Sequence, residues 1–264
     1  SGLINLLRLT QDAEITLEVN PANVSRARLA AWASFGITRL SVGVQTFRDQ
    51  VLAGFGRLHD ARQSHSALSL ISTQWPGSWS ADLLVGWKSQ STADVLADSL
   101  TLVSYGPPHV SVYGLTIEKG TPLAGEELAG AVVRVDAERF ADFDDRWCDV
   151  LEGSQFERYE VSNFAKSGHR SRHNQAYWMG DSVIGLGPGA TTSLHPLRWT
   201  NVRSIESYLS ACRRQRGLRE SCERIAPSSR FAELLGTGLR TASGLSVTEL
   251  DRRFGPTWLS YLGP

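Results

Sequence analysis

With 264 residues the chain is long enough to bury a sizeable core, as one large α/β domain with an appendage or as two modest domains. Hydrophobic residues make up 41% and charged residues 20%, the mix of an ordinary globular protein, which excludes wholesale disorder. The 27 basic residues balance 27 acidic ones, so the electrostatic footprint of a protein held by nucleic acid or by anionic lipid is missing.

No run of about 18 apolar residues occurs, and Ser1 to Thr10 lacks the basic start and small-residue cleavage site of a secretory signal. The expectation is a cytoplasmic protein with no stable membrane insertion and no nucleic-acid partner. Cys148, Cys212 and Cys222 are odd in number and lack C-x-x-C spacing, which suggests neither a disulfide framework nor a zinc site. The start at Ser1 rather than Met, about a dozen residues before the first strand-like run, reads as a cut end.

From Glu14 to Pro108 one unit repeats: a short β-rich apolar run, a polar turn, then a stretch with helical period. The runs are EITLEV (14–19), RLSVGV (39–44), WSADLLVG (79–86) and HVSVYGL (109–115), and they predict four parallel strands. VSRARLAAWASFG, closed by Gly36, DARQSHSALSLIS and TADVLADSLTLVS predict the helices between them. Continuous hydrophobicity in the runs implies strands buried on both faces, in a barrel or open sheet whose ligands gather at the carboxyl ends of the strands.

Glu18, Gln45 and Thr116 close their runs where that rule puts chemistry. Asp82 lies within its run, and an unpaired acid in an apolar strand costs several kcal/mol, so it is expected to face a polar interior or a ligand. Beyond Gly125 come a charged helix-like segment, VVRVDAERFADFDDRWCDVLE, then FERYEVSNFA as a strand-like run extending the sheet, then a polar and aromatic segment with Gly-rich turns. After a basic stretch, Arg213 to Arg224, two amphipathic segments, RFAELLGTGLR and SVTELDRRFG, predict a small helical domain. The boundaries implied are 1–125, 126–224 and 225–264.

EITLEVNP, RLSVGVQTF, GRLHDARQ, DLLVG, HVSVYGLTIEKGTPL, ERYEVSNFA, RHNQAYW and IGLGPGA, in that order from Glu14 to Ala190, resemble the oxygen-independent coproporphyrinogen III oxidases and related heme chaperones, a radical S-adenosylmethionine (SAM) family. The resemblance implies a partial TIM-type barrel of six βα units, of which these four strands would be the last four, holding a [4Fe-4S] cluster and SAM above the strand ends. Positions matching Glu18, Gln45, Arg57 and Asp82 line the SAM site in that family, and Thr116 matches a further contact. The chemistry suits the ligand: Arg57 offers a planar fork for the methionyl carboxylate, while the acids can accept from the amino group or ribose hydroxyls.

HNQAYW, His173 to Trp178, looks like the HNxxYW signature of the heme-chaperone branch. His173 is the expected axial ligand to heme iron, with Tyr177 and Trp178 against the porphyrin face; the bland reading has the same residues holding a loop and filling core. His59 and His169 are expected to be structural. IGLGPGA lacks the lysine and Ser/Thr of a P-loop and reads as tight backbone packing.

Two departures qualify the resemblance. The cysteine motif that binds the cluster, C-x3-C-x2-C, and the GGGTP turn appear nowhere in this sequence. Without three thiolates the cluster cannot be held, so the chain as it stands is expected not to perform radical chemistry; it is a piece of a longer, competent protein or a relative that has lost catalysis. GWKSQ, Gly86 to Gln90, replaces a GLPGQ-like turn and is expected to alter the loop beside Asp82. The leading reading is a heme chaperone delivering heme to an acceptor protein, against a coproporphyrinogen dehydrogenase of porphyrin biosynthesis and a degenerate partner with no ligand.

Overall fold

The structure is a computed structural model describing residues 7, 9–131, 134–215, 217–256 and 258–262. Val132 and Val133, the first two residues of the charged helix-like segment, lie outside the described residues. The chain divides into two compact units, Ser1–Arg170 and Ser171–Pro264.

In the first unit, β1 (Thr16–Val19), β2 (Arg39–Gln45), β3 (Ser78–Val85) and β4 (His109–Gly114) pair in parallel, in chain order. The helices between them are α1 (Arg26–Ser34), the short α2 (Asp49–Gly54), α3 (Ala61–Gln74) and α4 (Thr92–Ser104). Each long helix starts where the sequence supplies a cap. Ser25 and Ser91 accept from the amides of Arg28 and Asp94, and Asp60 and Gln63 form a reciprocal capping box on α3. After α5 (Pro122–Leu128) and α6 (Ala137–Gly153), β5 (Glu157–Arg158) and β6 (Asn163–Ala165) extend the sheet antiparallel, giving the order β1-β2-β3-β4-β6-β5.

The strands are buried largely on both faces, as expected, but only one of the two faces is apolar. Val19, Leu40, Val42, Val44, Trp79, Ala81, Leu83, Val85, Val110, Val112 and Phe164 form one face, packed into a core with Leu29, Leu68, Ile71, Leu102, Phe143 and Trp147 of the helices. The alternate residues, Glu18, Arg39, Ser41, Ser80, Asp82, His109, Ser111 and Asn163, form a polar face. The runs read as continuously apolar in part because three of their polar positions, Ser41, Ser80 and Ser111, are small serines, which interrupt an apolar stretch far less visibly than charged side chains would.

α6 covers the ends of β3 and β4 through one ring. A Cβ on Gly114 would lie 2.9 Å from the Phe140 ring, so glycine there is what lets Phe140 pack flat. Thr92 on α4 donates to Asp142 on α6 at 2.7 Å and fixes the two helices against each other.

The second unit has a three-stranded antiparallel sheet of β7 (Thr191–Leu194), β8 (Leu197–Asn201) and β9 (Arg219–Arg224). Its helices are α7 (Arg172–Trp178), α8 (Ile205–Arg213), α9 (Pro227–Gly238) and α10 (Val247–Phe254), followed by a 3-10 turn, Trp258–Leu262. Phe231, Leu234 and Leu250 make its core, with Leu245, Phe254 and Trp258 against them. The two terminal helices match the amphipathic segments of the sequence, whereas β9 falls in the basic stretch. All six of its residues are exposed, so it carries no buried apolar alternation that a sequence reading could detect.

Gly114→Ala is expected to lower unfolding stability by about 1–3 kcal/mol through overpacking. Phe140→Leu in the same chain should recover part of that loss, since the ring is what the new methyl meets. Chemical unfolding of the two single variants and the double variant measures the coupling.

Candidate functional site

Asp82 is the centre of the polar face. Ser41 on β2 donates to it at 3.1 Å, Ser111 on β4 hydrogen-bonds it from the other side, and Ser80 donates to Ser41 at 3.0 Å. Burial pushes the carboxyl up from its ordinary 3.8 to about 6, against the pull of the two serines; the charge of Glu18 adds to the rise and that of Arg39 opposes it. An acid so held is poised to change protonation near neutrality.

Gln45 reaches the same face by an unusual backbone. It stands at φ 70, where the β2–β3 register shifts, and its Nε2 sits 2.9 Å from the place a Cβ of Gly43 would take. Left-handed backbone is costly for a residue other than glycine, and the surroundings hold it on both sides. Buried His59 approaches the carbonyl of Val44 through Nε2 at 3.2 Å. Asp98 on α4, also buried, accepts from Thr46 Oγ1 at 2.6 Å and from the Phe47 amide at 3.2 Å. By its place in GRLHD, His59 ties the Arg57 loop to the end of β2.

The structure thus brings Glu18, Gln45 and Asp82 to one face. Arg57 is exposed on the loop after α2 and acts electrostatically on His59. Thr116 donates to the carbonyl of Gly114 at 3.4 Å and lines an open groove of about 420 Å³ with Gly86, Val135 and Phe140. Neither is joined to the Asp82 cluster by a described contact.

Sequence reasoning missed much of what surrounds Asp82. Arg39, 3% exposed, donates to Ser78 and to the carbonyl of His169, while His169 Nδ1 lies 3.1 Å from Ser78 Oγ. His109 Nε2 lies 2.8 Å from the Tyr159 hydroxyl, and Asn163 hydrogen-bonds buried Glu160. The period-2 placement of S, D and H inside the runs was the available signal. The GWKSQ turn is closed by its own Gln90, fully buried, whose side-chain oxygen accepts from the Gly86 amide at 2.7 Å, and Trp87 packs edge-on to Phe55. None of these contacts involves Asp82.

In the second unit, α7 carries HNQAYW. Ser171 caps it, accepting from the Asn174 amide, and the rings of His173 and Tyr177, one turn apart, meet edge to face at 4.9 Å. Both side chains are exposed, and Trp178 is half-buried. Tyr177 also lines a cavity of about 320 Å³ with His195, Arg198, Arg230 and Glu233. The Gly-rich IGLGPGA segment packs backbone on backbone: a Cβ at Gly185 would lie 2.4 Å from the Thr191 carbonyl oxygen.

The three cysteines are free, Cys148 half-buried and the others exposed, and among the described residues no three His, Cys, Asp or Glu side chains gather as a metal site. No family model matches the chain. The heme chaperone HemW of Synechocystis is 34% identical over 248 residues, covering 92% of this chain and 60% of that protein. The chain is homologous to the HemW heme chaperones. HemW of Escherichia coli is 34% identical over 220 residues (78% of this chain, 57% of that protein), and a mouse mitochondrial radical SAM domain-containing protein is 32% identical over 247 residues (90% and 56%). The chain therefore spans somewhat over half the length of these relatives. The solved coproporphyrinogen III oxidase of Escherichia coli, a radical SAM enzyme, superposes on 95% of this chain and 60% of its own at a TM-score of 0.77 with 17% identity, which establishes the shared α/β radical SAM fold.

The raised carboxyl of Asp82 has a signed consequence. Its folded value lies above the unfolded one, so its contribution favours the folded state most below about pH 4 and is lost as pH rises through about 6. Asp82→Asn should therefore gain stability relative to the parent chain between pH 5 and pH 8, by about 1–3 kcal/mol. Urea unfolding of both chains at the two pH values checks this.

Proposed function

We propose that this chain is the heme-receiving part of a heme chaperone that passes heme to an acceptor protein in the cytoplasm. The observation that carries the reading is the surface helix α7, which presents the imidazole of His173 and the ring of Tyr177 together in a chain homologous to HemW. An exposed imidazole can ligate iron without dismantling any core, and an aromatic ring one turn away supplies a flat apolar neighbour for a macrocycle. Among the described residues no helix is long and apolar enough to cross a membrane.

The SAM assignment rests on the polar face. Two carboxylates and an amide, Glu18, Asp82 and Gln45, suit an amino group and ribose hydroxyls, with the space over Gly43 given to the Gln45 amide. We read Arg57 and Thr116 as contacts from the flanking loops. Bound SAM with an iron–sulfur cluster supplies one-electron chemistry; the cluster does not fit this chain, whose three thiols sit in three separate elements, and no radical step is assigned to it. The fold shared with the oxidase does not itself carry an enzymatic reading.

Titrating the whole chain with hemin should give a saturable Soret change. His173→Ala should weaken binding at least about tenfold and alter the spectrum, while Tyr177→Phe, which keeps the ring, should do neither. Unchanged affinity and spectrum for His173→Ala would remove His173 as the ligand, and a folded chain that takes up no hemin would overturn the chaperone reading.

A further inference from the structure

The second unit contains a cleft of about 590 Å³ that neither HNQAYW nor the polar face accounts for. Its walls include Ile225, Phe254 and Tyr261, with the guanidinium groups of Arg224, Arg230 and Arg253. Among the described residues lining it, none carries a carboxylate. A cavity with aromatic and aliphatic walls, several cations and no carboxylate is complementary to an apolar body that bears acids.

The arginines differ in what they are already doing. Arg253 is committed: it donates to the carbonyl of Met179 at 2.6 Å, to Asp181 at 2.7 Å, and to Glu249. Arg198 in the adjoining 320 Å³ cavity is likewise committed, forked onto Glu233. Arg230 has no ion pair with a carboxylate among the described residues; its guanidinium stands 5.3 Å over the Phe254 ring and lines both cavities. Burial and the nearby charge of Arg253 lower its pKa from the ordinary value, as fits a cation lacking a counter-charge. The ring beneath it is held rigid by Phe231, 5.5 Å away, and Tyr261, 6.3 Å away.

We propose that this cleft binds the carboxylate-bearing edge of a planar apolar ligand, with Arg230 receiving a carboxylate and Phe254 and Tyr261 walling the ring system. An Arg fork matches a carboxylate in two parallel hydrogen bonds. Choosing a porphyrin among such ligands rests on the heme-chaperone reading; the cleft's preference for an apolar acid does not.

The test uses metal-free deuteroporphyrin IX, which has no iron for His173 to ligate, and its dimethyl ester, which has no charge for Arg230 to meet. Quenching of the chain's tryptophan fluorescence gives both affinities. The free acid is expected to bind at least about tenfold more tightly than the ester. Arg230→Gln should erase that preference, Arg230→Lys should retain part of it, and His173→Ala should leave it unchanged, with near-UV circular dichroism confirming that each variant is folded. Equal binding of acid and ester, a preference that survives Arg230→Gln, or no binding of either porphyrin would each overturn the cleft assignment. Hemin binding that depends on His173 would still stand in all three cases, which separates this failure from failure of the chaperone reading.

Discussion

The first unit depends on a sheet whose two faces obey opposite rules. One face is an apolar core against four helices; the other buries Arg39, Ser80, His109 and Ser111 to 3% exposure or less. Polar groups removed from water are costly unless partnered, and here they partner one another across strands, Ser41 and Ser111 to Asp82 and His109 to Tyr159. Parallel register fixes those partners. Ser41 lies opposite Ser80 and Ser111 opposite Asp82, so a slip of one residue would turn every polar group into the helix-packed core and every core residue onto the polar face.

The same register explains why the chemistry collects where it does. On the polar face Glu18 is exposed and Asp82 half-buried, whereas Ser80 and Ser111 are wholly enclosed. There the backbone of β2 leaves ideal geometry at Gln45, and the departure is anchored by two buried side chains distant in sequence, His59 and Asp98. Strain that persists only because its neighbours over-determine it is a mark of a functional position. Gly43 completes the arrangement by leaving room for the Gln45 amide, a role its place in RLSVGVQ does not disclose.

Legibility in the sequence followed the strength of the local signal. The four parallel strands, three intervening helices and two terminal helices were readable from short apolar runs alternating with helix-like stretches, several of which had a capping residue such as Asp60 or Ser91. β9 was not, since RESCER is exposed throughout and its pairing with β8 comes from backbone hydrogen bonds and from Arg219 lying 4.2 Å over the Trp199 ring. The helical state of HNQAYW was equally hidden: seven residues are too few for periodicity, and its start is set by Ser171, a cap recognisable only once the helix is known. Of the candidate residues, Asp82 was legible because an acid inside an apolar run contradicts its surroundings. Asp98 was not, because an acid on a helix is unremarkable until its partners, Thr46 and the Phe47 amide, are seen.

The two units divide the chemistry by the kind of charge each leaves uncompensated. At the open end of the first unit's polar face the surplus is acidic, the charge of Glu18 adding to the cost of ionising Asp82, which suits cationic or hydrogen-bond-donating groups. In the cleft of the second unit the surplus is basic and set against aromatic rings, which suits an apolar acid. A ligand rich in amino and hydroxyl donors and a ligand with carboxylates on a flat apolar frame would therefore sort themselves between the units without competition. SAM and a porphyrin have those two chemistries, so one chain can be read as addressing both without sharing a single site residue between them.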